Sequence, residues 1–363
     1  MTPLLEVHDL RMWFHTDAGV VTAVDGVTFS VDPGEVFGIV GESGSGKSVT
    51  AMTILGLIPM PPGRVESGEI LWKGENLLEM SPERLRQIRG KEISMIFQDP
   101  MTSLNPVYTL GQQIAEIVRV HNDVTKREAH DRAVDMLQLV GIPHPAQRAN
   151  DYPHQFSGGM RQRAMIAMAI ACDPDLLIAD EPTTALDVTI QAQILDVLEK
   201  AANETNSSIM MITHDLGVIA GMADRVAVMY AGQVVEEGGV DEVFYRSRMP
   251  YTWGLLESIA RLDMRRMGRL RPIAGSPPSM INTPSGCRFH PRCPYSDGEM
   301  CVFSAPSLTG LSPRHHARCH FALEEGWYSP SERLREPRQQ WSQAVREVED
   351  ARAAADAAEA ADA

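Results

Sequence analysis

The sequence of 363 residues contains no apolar run long enough to cross a membrane, which takes roughly 18 residues or more. Its longest apolar segments, such as 164–172, suit a buried helix. No basic segment followed by an apolar one opens the chain, so no secretory signal is expected. Positive charge is not in excess either, since the formal net charge is -15. This balance argues against nucleic acid as a partner. We therefore expect a soluble intracellular protein whose role at a membrane would depend on partner subunits.

Cysteine is scarce outside one segment. Four of the five cysteines lie between Cys287 and Cys319. In a reducing cytosol such a cluster indicates metal binding rather than disulfides. The thiolates of Cys287, Cys293, Cys301 and Cys319 could hold an iron–sulfur cluster or zinc. Structural zinc sites typically use cysteine pairs with two to four residues between them, and this segment has none. The spacing alone does not choose between iron and zinc. His290, His315, His316 and His320 in the same segment are either alternative ligands or solvated side chains, and free thiols are the third alternative for the cysteines.

Short β-rich runs alternate with helical stretches along most of the chain, which predicts a mainly parallel α/β sheet. The predicted strands of this sheet are 36–40, 93–97, 176–179, 208–213 and 225–230. A core helix is predicted over 48–58, and a helical insertion over about 110–170. Within the insertion, Thr125 followed by Glu128 is the pattern of a helix-starting capping box.

A glycine-rich loop between the first of these strands and the core helix fits the pattern G-x-x-x-x-G-K-[ST]. Its glycines let backbone N–H groups turn inward around a phosphate, and the helix N-terminus adds a favourable dipole. Lys47 is predicted to reach the β- and γ-phosphates, and Ser48 to bind Mg²⁺. The predicted ATP-binding residues of the loop are Gly41, Ser43, Gly44, Ser45, Gly46, Lys47 and Ser48.

Two carboxylates end the apolar run at 176–181. In P-loop enzymes a carboxylate at this place holds Mg²⁺, which assigns that role to Asp180. Glu181 would then point toward the γ-phosphate and polarise the attacking water. Carboxylates at a strand end are common on surfaces, so the assignment depends on their pairing with the phosphate loop.

The segment Ser157-Gly158-Gly159, preceded by Phe156 and followed by Met160, resembles the signature motif of ABC proteins. Phe and Met replace the usual Leu and Gln, and the Ser-Gly-Gly core is intact. Serine hydroxyl and glycine amides at a helix start form a second anion-binding site. In the family this motif faces the ATP of the opposing subunit, which implies a head-to-tail dimer with two ATP molecules between the subunits.

Other positions resemble the ABC family in order along the chain, from residue 4 to about residue 245. Gln98 resembles the glutamine of the Q-loop, a Mg²⁺ contact, and Asp187 in Ala185-Leu186-Asp187 resembles the D-loop aspartate. His214 resembles the switch histidine that contacts the γ-phosphate, and with Gln98 and Glu181 it completes the catalytic set that the resemblance implies. Phe14 resembles the aromatic residue that stacks on adenine, with Trp13 as its rival.

The resemblance implies a P-loop NTPase fold of the ABC cassette type. This fold has a RecA-like core, an antiparallel β subdomain and a helical signature subdomain, here at about 105–170. We expect the nucleotide-binding domain to span 1–245 and a small cysteine-containing C-terminal extension to span 246–328. The last residues, 329–363, are rich in Ala, Glu and Asp and are expected to be disordered or a solvated helix.

Two segments resemble the peptide and nickel importer group: Thr102-Ser103-Leu104-Asn105-Pro106 and the stretch 284–294 around Cys287 and Cys293. Members of this group with such cysteines carry a [4Fe–4S] cluster. The group also implies a second ATPase subunit, identical or homologous, two transmembrane permeases and, indirectly, an extracytoplasmic peptide-binding protein. The chain would lie at the cytoplasmic face of the inner membrane and energise import of di- or oligopeptides. Nickel or another small solute stays open as cargo, and a soluble ABC ATPase or an exporter ATPase is the competing class.

Overall fold

The computed structural model describes residues 2–99, 103–184, 187–258, 273–327 and 329. Thr102, Ala185 and Leu186 lie outside the described residues, and so does the predicted tail apart from Ser329. None of the described helices is both long and apolar enough to span a membrane. Contacts divide the chain into two compact units. Unit 1 comprises Met1–His214, Met229–Val234 and Pro278–Thr283, and unit 2 comprises Asp215–Val228, Val235–Pro277 and Pro284–Ala363.

Unit 1 contains an antiparallel sheet and a parallel sheet. The antiparallel strands are β1 (Leu5–Thr16), β2 (Gly19–Val31), β4 (Gly63–Trp72) and β5 (Glu75–Asn76), in the order β2-β1-β4-β5. The parallel strands are β3 (Val36–Val40), β6 (Ile93–Ile96), β7 (Leu176–Asp180) and β8 (Ser208–Thr213), in the order β3-β8-β7-β6. Strands β7 and β8 are buried at every residue, as expected for a parallel sheet covered on both faces. Because parallel strands end at one edge, the loops after β3, β6, β7 and β8 meet there.

The helices of unit 1 connect these strands. They are α1 (Lys47–Ile54), α2 (Pro82–Ile88), α3 (Leu110–His121), α4 (Lys126–Leu139), α5 (Pro145–Arg148), α6 (Gly158–Ile170) and α7 (Val188–Thr205), with 3-10 turns at Leu77–Glu79 and Pro153–Gln155. The Thr125–Glu128 capping box predicted from the sequence begins α4. Helix α1 ends four residues before the predicted boundary, because Gly56 adopts a left-handed φ of 58° that a continuing helix cannot use.

The described residues of unit 2 form few regular elements, and all of these are short. They are α8 (Leu216–Met222), α9 (Val240–Tyr245), α10 (Pro250–Glu257), a 3-10 turn at His290–Arg292, α11 (Met300–Phe303), β11 (Thr309–Ser312) and β12 (His315–Ala317). Strands β9 (Arg225–Tyr230) and β10 (Gln233–Gly239) each pass from one unit to the other. Within unit 2, β12 pairs antiparallel with both β10 and β11.

A buried polar pair holds β12 against β10. Glu236 is fully buried, and its carboxylate receives hydrogen bonds from the Ser247 hydroxyl and the Arg248 amide, both at 2.7 Å. The His315 ring nitrogen Nε2 lies 3.0 Å from the same carboxylate, and His315 is itself buried. A buried carboxylate costs free energy unless it is hydrogen-bonded, so His315 helps to fix the C-terminal strand in place.

We expect His315→Ala to loosen β12 locally. Removing one partner of a buried charged group costs about 3 kcal/mol, which corresponds to roughly hundredfold faster amide exchange where opening is local. The Arg318 amide, which donates to the Val235 carbonyl at 2.8 Å, is the reporter for hydrogen exchange. His130→Ala, at an exposed position of α4, is the control and should leave this amide unchanged. Equal protection in both variants would show that the pair does not hold the strand.

Candidate nucleotide and four-cysteine sites

The loop between β3 and α1 is packed tightly against neighbouring backbone. Gly41 (φ 155°) and Gly46 (φ 104°) have backbone conformations that favour glycine, and Gly46 caps α1. A Cβ at Gly41 would collide with the Met229 carbonyl, and one at Gly46 would lie 2.5 Å from the Ala23 carbonyl. The Ser45 hydroxyl is buried without a hydrogen-bond partner among the described residues. Such an orphaned donor, in a glycine-rich loop at the N-terminus of α1, fits a bound phosphate.

The Lys47 side chain is folded across this loop. Its Nζ atom donates to the Gly41 carbonyl at 2.8 Å and to the Glu42 carbonyl at 3.0 Å, and the side chain is buried. Burial lowers the pKa of Lys47 below its ordinary value, while the charges of Glu181, Asp180 and Glu42 oppose that shift. The ammonium therefore lies in a dry position where an incoming phosphate would gain strong charge–charge attraction.

Ser48 and Asp180, each predicted to bind Mg²⁺, lie side by side. The Ser48 hydroxyl donates to Asp180 Oδ1 at 2.9 Å, and Asp180 is buried at the end of β7. Burial chiefly raises the pKa of Asp180, and Glu181 adds to the rise, whereas the Ser48 hydrogen bond and Lys47 oppose it. Two hard oxygen ligands side by side suit Mg²⁺, which usually keeps waters and takes few protein ligands.

The Glu181 carboxylate is held from three directions. Its Oε2 accepts hydrogen bonds from Gln98 Nε2 at 2.9 Å and from the Thr184 hydroxyl at 2.8 Å. His214 Nδ1 lies 3.4 Å from the other oxygen, Oε1. Glu181 itself has a left-handed φ of 45°, and its amide donates to the Ile212 carbonyl of β8. The three residues predicted to act in hydrolysis thus converge at the ends of β6, β7 and β8.

Thr184 is a site residue that the sequence reasoning missed. Besides its hydroxyl contact, its amide donates to the Glu181 carbonyl at 3.1 Å, so it closes a turn on the carboxylate it contacts. The available signal was its position, three residues after Glu181 in a Pro-Thr-Thr turn. A hydroxyl at that spacing can reach back to a side chain at the start of the turn.

The predicted signature residues form a separate feature on α6. Ser157 caps the helix, its hydroxyl oxygen accepting from the Met160 amide at 3.4 Å, and both Ser157 and Gly158 are exposed, whereas Gly159 is half-buried. Phe156, which replaces the usual Leu, is buried and therefore acts as a core anchor for the motif.

Asp187 and the two aromatic candidates are also placed by the structure. The Asp187 carboxylate caps α7 by accepting from the Ile190 amide at 3.0 Å. Phe14 lies near the end of β1, opposite Val21 and Gly63 on the neighbouring strands, and it is half-buried. Trp13 is also half-buried, and its indole nitrogen has no hydrogen-bond partner among the described residues. The geometry does not choose between the two rings.

In unit 2 the four clustered cysteines line a single cavity. The other residues around it are Met249, Pro250, Phe289, His290, Tyr295, His320, Phe321 and Trp327. The Cys287 amide donates to the Cys301 carbonyl at 2.8 Å, which joins two of the cysteine segments directly. The side chains of His290 and His320 bond to the Cys287 and Ser304 carbonyls, respectively. His315 is instead committed to Glu236.

Cys301 is buried, and Cys287, Cys293 and Cys319 are half-buried. Burial raises the pKa of Cys293 to about 11 and that of Cys319 to about 12, with the neighbouring thiols as a smaller cause, and burial also raises the pKa of Cys287. In the parts of the chain that the structure describes, no three His, Cys, Asp or Glu side chains are arranged as ligands of one metal ion. The cysteines therefore share a cavity, but their side chains are not arranged as the ligands of a single metal ion.

Two family models match the chain. The model of the ABC transporter family matches residues 24–184. The model of the oligopeptide/dipeptide transporter C-terminal region matches residues 235–301. The first match includes the phosphate loop, the signature segment and the two carboxylates, and the second includes Cys287, Cys293 and Cys301.

Known proteins resemble the chain over most of its length. It is 56% identical over 318 residues to the oligopeptide transport ATP-binding protein OppD of Bacillus subtilis, covering 88% of each chain. It is 51% identical to a probable peptide ABC transporter ATP-binding protein of Sinorhizobium fredii, covering 87% of this chain and 94% of the relative. A dimeric ATP-binding cassette bound to ADP and Pi is similar in structure, with a TM-score of 0.58 and 26% identity over 65% of this chain and 98% of that one. The chain therefore belongs to the ABC transporter family, as an ATP-hydrolysing, ATP-binding subunit of its oligopeptide and dipeptide group.

Proposed function

We propose that this chain hydrolyses ATP to drive the import of di- or oligopeptides through membrane-spanning partner subunits. The observation that carries the ATPase part is the convergence of Gln98, His214 and Thr184 on Glu181, beside the buried Lys47. The match to the oligopeptide/dipeptide C-terminal region supports peptides as the solute, as do the names of the relatives.

The phosphate loop would bind the nucleotide through charge and unpaired donors. Lys47 would exchange its bonds to the Gly41 and Glu42 carbonyls for phosphate oxygens, and the Ser45 hydroxyl would gain its missing partner. Mg²⁺ would be held by Ser48, Asp180 and Gln98 and would neutralise charge on the phosphate oxygens. By the resemblance of its position, Phe14 rather than Trp13 would stack on adenine.

Hydrolysis would depend on the orientation of the Glu181 carboxylate. Glu181 would take a proton from the attacking water, while His214 would contact the γ-phosphate. In the structure both the Gln98 amide and the Thr184 hydroxyl donate to one carboxylate oxygen, Oε2. The other oxygen, Oε1, lies 3.4 Å from His214 Nδ1 and would be the one that faces water. These contacts support a base whose orientation would be set before the substrate binds.

We expect Glu181→Gln to bind ATP normally and to lower turnover at least a hundredfold, because the amide keeps the shape but cannot act as a base. ATP affinity, ATP hydrolysis and uptake of a labelled oligopeptide would be measured in the assembled transporter. Hydrolysis and uptake should be lost together. Glu199→Gln, at an exposed position of α7, is the control and should change none of the three.

Two results would count against the proposal. Near-normal hydrolysis by Glu181→Gln would remove this residue from the base role. Normal hydrolysis by the wild-type transporter without peptide uptake would keep the ATPase and refute the peptide cargo. Nickel uptake by the same preparation would then identify the alternative solute.

The exposed signature residues support a head-to-tail pairing with a second ATPase subunit, identical or homologous. Ser157 and Gly158 face solvent at the start of α6, where their donors could meet a phosphate on another subunit. Asp187 would lie at the same interface. Two transmembrane permeases and, indirectly, an extracytoplasmic peptide-binding protein would complete the importer. The chain would then lie peripherally on the cytoplasmic face of the membrane.

We expect Ser157→Arg to leave ATP binding by this chain intact and to lower hydrolysis more than tenfold, because the long cation would block the opposing nucleotide site. Isothermal titration and a phosphate-release assay measure the two effects. Ser81→Arg is a matched control, because Ser81 also is an exposed serine that caps a helix, α2. Full hydrolysis by Ser157→Arg, or by a strictly monomeric preparation, would exclude the paired arrangement.

We further propose that Cys287, Cys293, Cys301 and Cys319 hold one [4Fe–4S] cluster with a structural or regulatory role. Four thiols from separate points of the chain line one mainly apolar cavity, and thiolates are the ligands that such clusters use. The surrounding segment has short regular elements only, so four metal–thiolate bonds would stabilise it. ATP hydrolysis needs no electron transfer, which argues against a catalytic role.

Anaerobically purified protein should be brown and contain about four irons and four inorganic sulfides per chain. Cys293→Ser should bleach the protein and make unit 2 more sensitive to proteases, while ATP still binds. Cys172→Ser, which lies outside the cavity, is the matched control and should retain the colour and the iron. Stoichiometric zinc without sulfide would assign the site to zinc instead.

A further inference from the structure

A short segment of the C-terminal extension belongs structurally to unit 1. Residues Pro278–Thr283 group with unit 1 by their contacts, although the chain on either side of them belongs to unit 2. We call this segment the strap. No motif of the nucleotide site includes it, and its position in unit 1 could not be read from the sequence.

The strap covers the open edge of the antiparallel sheet. Strand β2 is the outermost strand, so its outward backbone groups need partners from elsewhere. The Thr22 amide donates to the Met280 carbonyl at 3.0 Å, and the Thr22 hydroxyl donates to the same oxygen at 3.1 Å. A Cβ at Gly19 would lie 3.0 Å from a methyl group of Ile281, so the strap also packs along the start of β2.

Strand β2 is connected to the phosphate loop by hydrogen bonds through Gly232. The Asp25 amide donates to the Gly232 carbonyl at 2.8 Å, and the Gly232 amide donates to the Ser45 carbonyl at 2.9 Å. Gly232 therefore links β2 to the loop that carries the unpaired Ser45 hydroxyl. The close approach of Gly46 to the Ala23 carbonyl is a second link between β2 and this loop.

Met280 packs on this link from outside. A Cβ at Gly232 would lie 3.1 Å from the Met280 methyl carbon and 2.9 Å from the Thr22 carbonyl, so Gly232 is enclosed between the strap and β2. The left-handed φ of 81° at Gly232 requires glycine in any case. A shift of Gly232 would carry the Ser45 carbonyl with it, because the hydrogen bond between them joins two tightly packed backbones.

We infer that Met280 is a positioning residue for the phosphate loop: it fixes Gly232, and through Gly232 it fixes the backbone of Ser45 for nucleotide binding. Met280 does not need to touch the nucleotide. The inference depends on the nucleotide site described above and not on the metal proposed for the cysteines. Because coupling is reciprocal, nucleotide binding should in turn stabilise the docked strap.

The test is Met280→Ala in the full-length chain, with ATP hydrolysis measured over a range of ATP concentrations. We expect KM for ATP, and the Kd of a fluorescent ATP analogue, to rise about fivefold. The kcat value should stay within about twofold, because Glu181, Gln98 and His214 are untouched. Met280→Leu should restore most of the affinity, since it returns an apolar side chain of similar volume. Met300→Ala is the matched control, an exposed methionine of the same extension.

Hydrogen exchange supplies a readout that simple destabilisation would not reproduce. The Thr22 amide donates to the Met280 carbonyl of the strap. In the wild type, MgATP should slow hydrogen exchange of this amide, and Met280→Ala should abolish that effect. If Met280→Ala does not fold, Thr22→Val, which removes only the hydroxyl bond to the strap, is tested for the same rise in KM. An unchanged KM in a folded variant, or no effect of MgATP on the Thr22 amide, would overturn the inference. Absence of ATP binding by the wild type would refute the nucleotide site itself.

Discussion

The Lys47 ammonium donates to the Gly41 and Glu42 carbonyls while its side chain is buried, and the rest of the nucleotide site depends on this arrangement. A buried cation is unfavourable unless carbonyls and nearby carboxylates compensate for its lost hydration. Asp180 and Glu181 provide that compensation from the end of β7. The buried ammonium and the two carboxylates are therefore held close together away from bulk solvent, where charge–charge attraction to phosphate and Mg²⁺ is stronger than in water.

The backbone around this lysine leaves little freedom to move. Gly41 and Gly46 lie so close to the carbonyls of Met229 and Ala23 that neither position tolerates a side chain. Glu181 has a left-handed backbone, which an amino acid other than glycine adopts only when its surroundings enforce it. Its amide bond to β8 and its turn with Thr184 supply that constraint. The parallel sheet thus fixes the Glu181 carboxylate through backbone contacts as well as through side chains.

Unit 2 is built on a different principle. Its described part has only short elements, and it relies on a buried carboxylate, an aromatic cluster and the cysteine cavity for its order. The rings of Trp253, Tyr295, Phe321 and Trp327 pack with centroids 5.0–5.8 Å apart beside that cavity. The Trp327 indole donates to the Arg248 carbonyl, and Arg248 donates back to the Trp327 carbonyl. A segment of this kind gains stability from a small number of specific contacts. Metal–thiolate bonds at the four cysteines would therefore change its stability strongly.

The sequence by itself determined the phosphate loop, the strands and the identity of the carboxylate pair. These features are local: glycine spacing and an apolar run ending in two acids are visible in consecutive residues, and β3 and β8 have the predicted boundaries. Four features were decided only by the tertiary structure: Thr184 on Glu181, His315 on Glu236, the shared cavity of the four cysteines, and Met280 against Gly232. The last three join residues that are distant in sequence. Thr184 is near Glu181 in the chain, but its contact depends on a left-handed turn that the residue types do not specify. Pairing and packing over such distances depend on how the whole chain folds, and no periodicity in the sequence specifies these contacts.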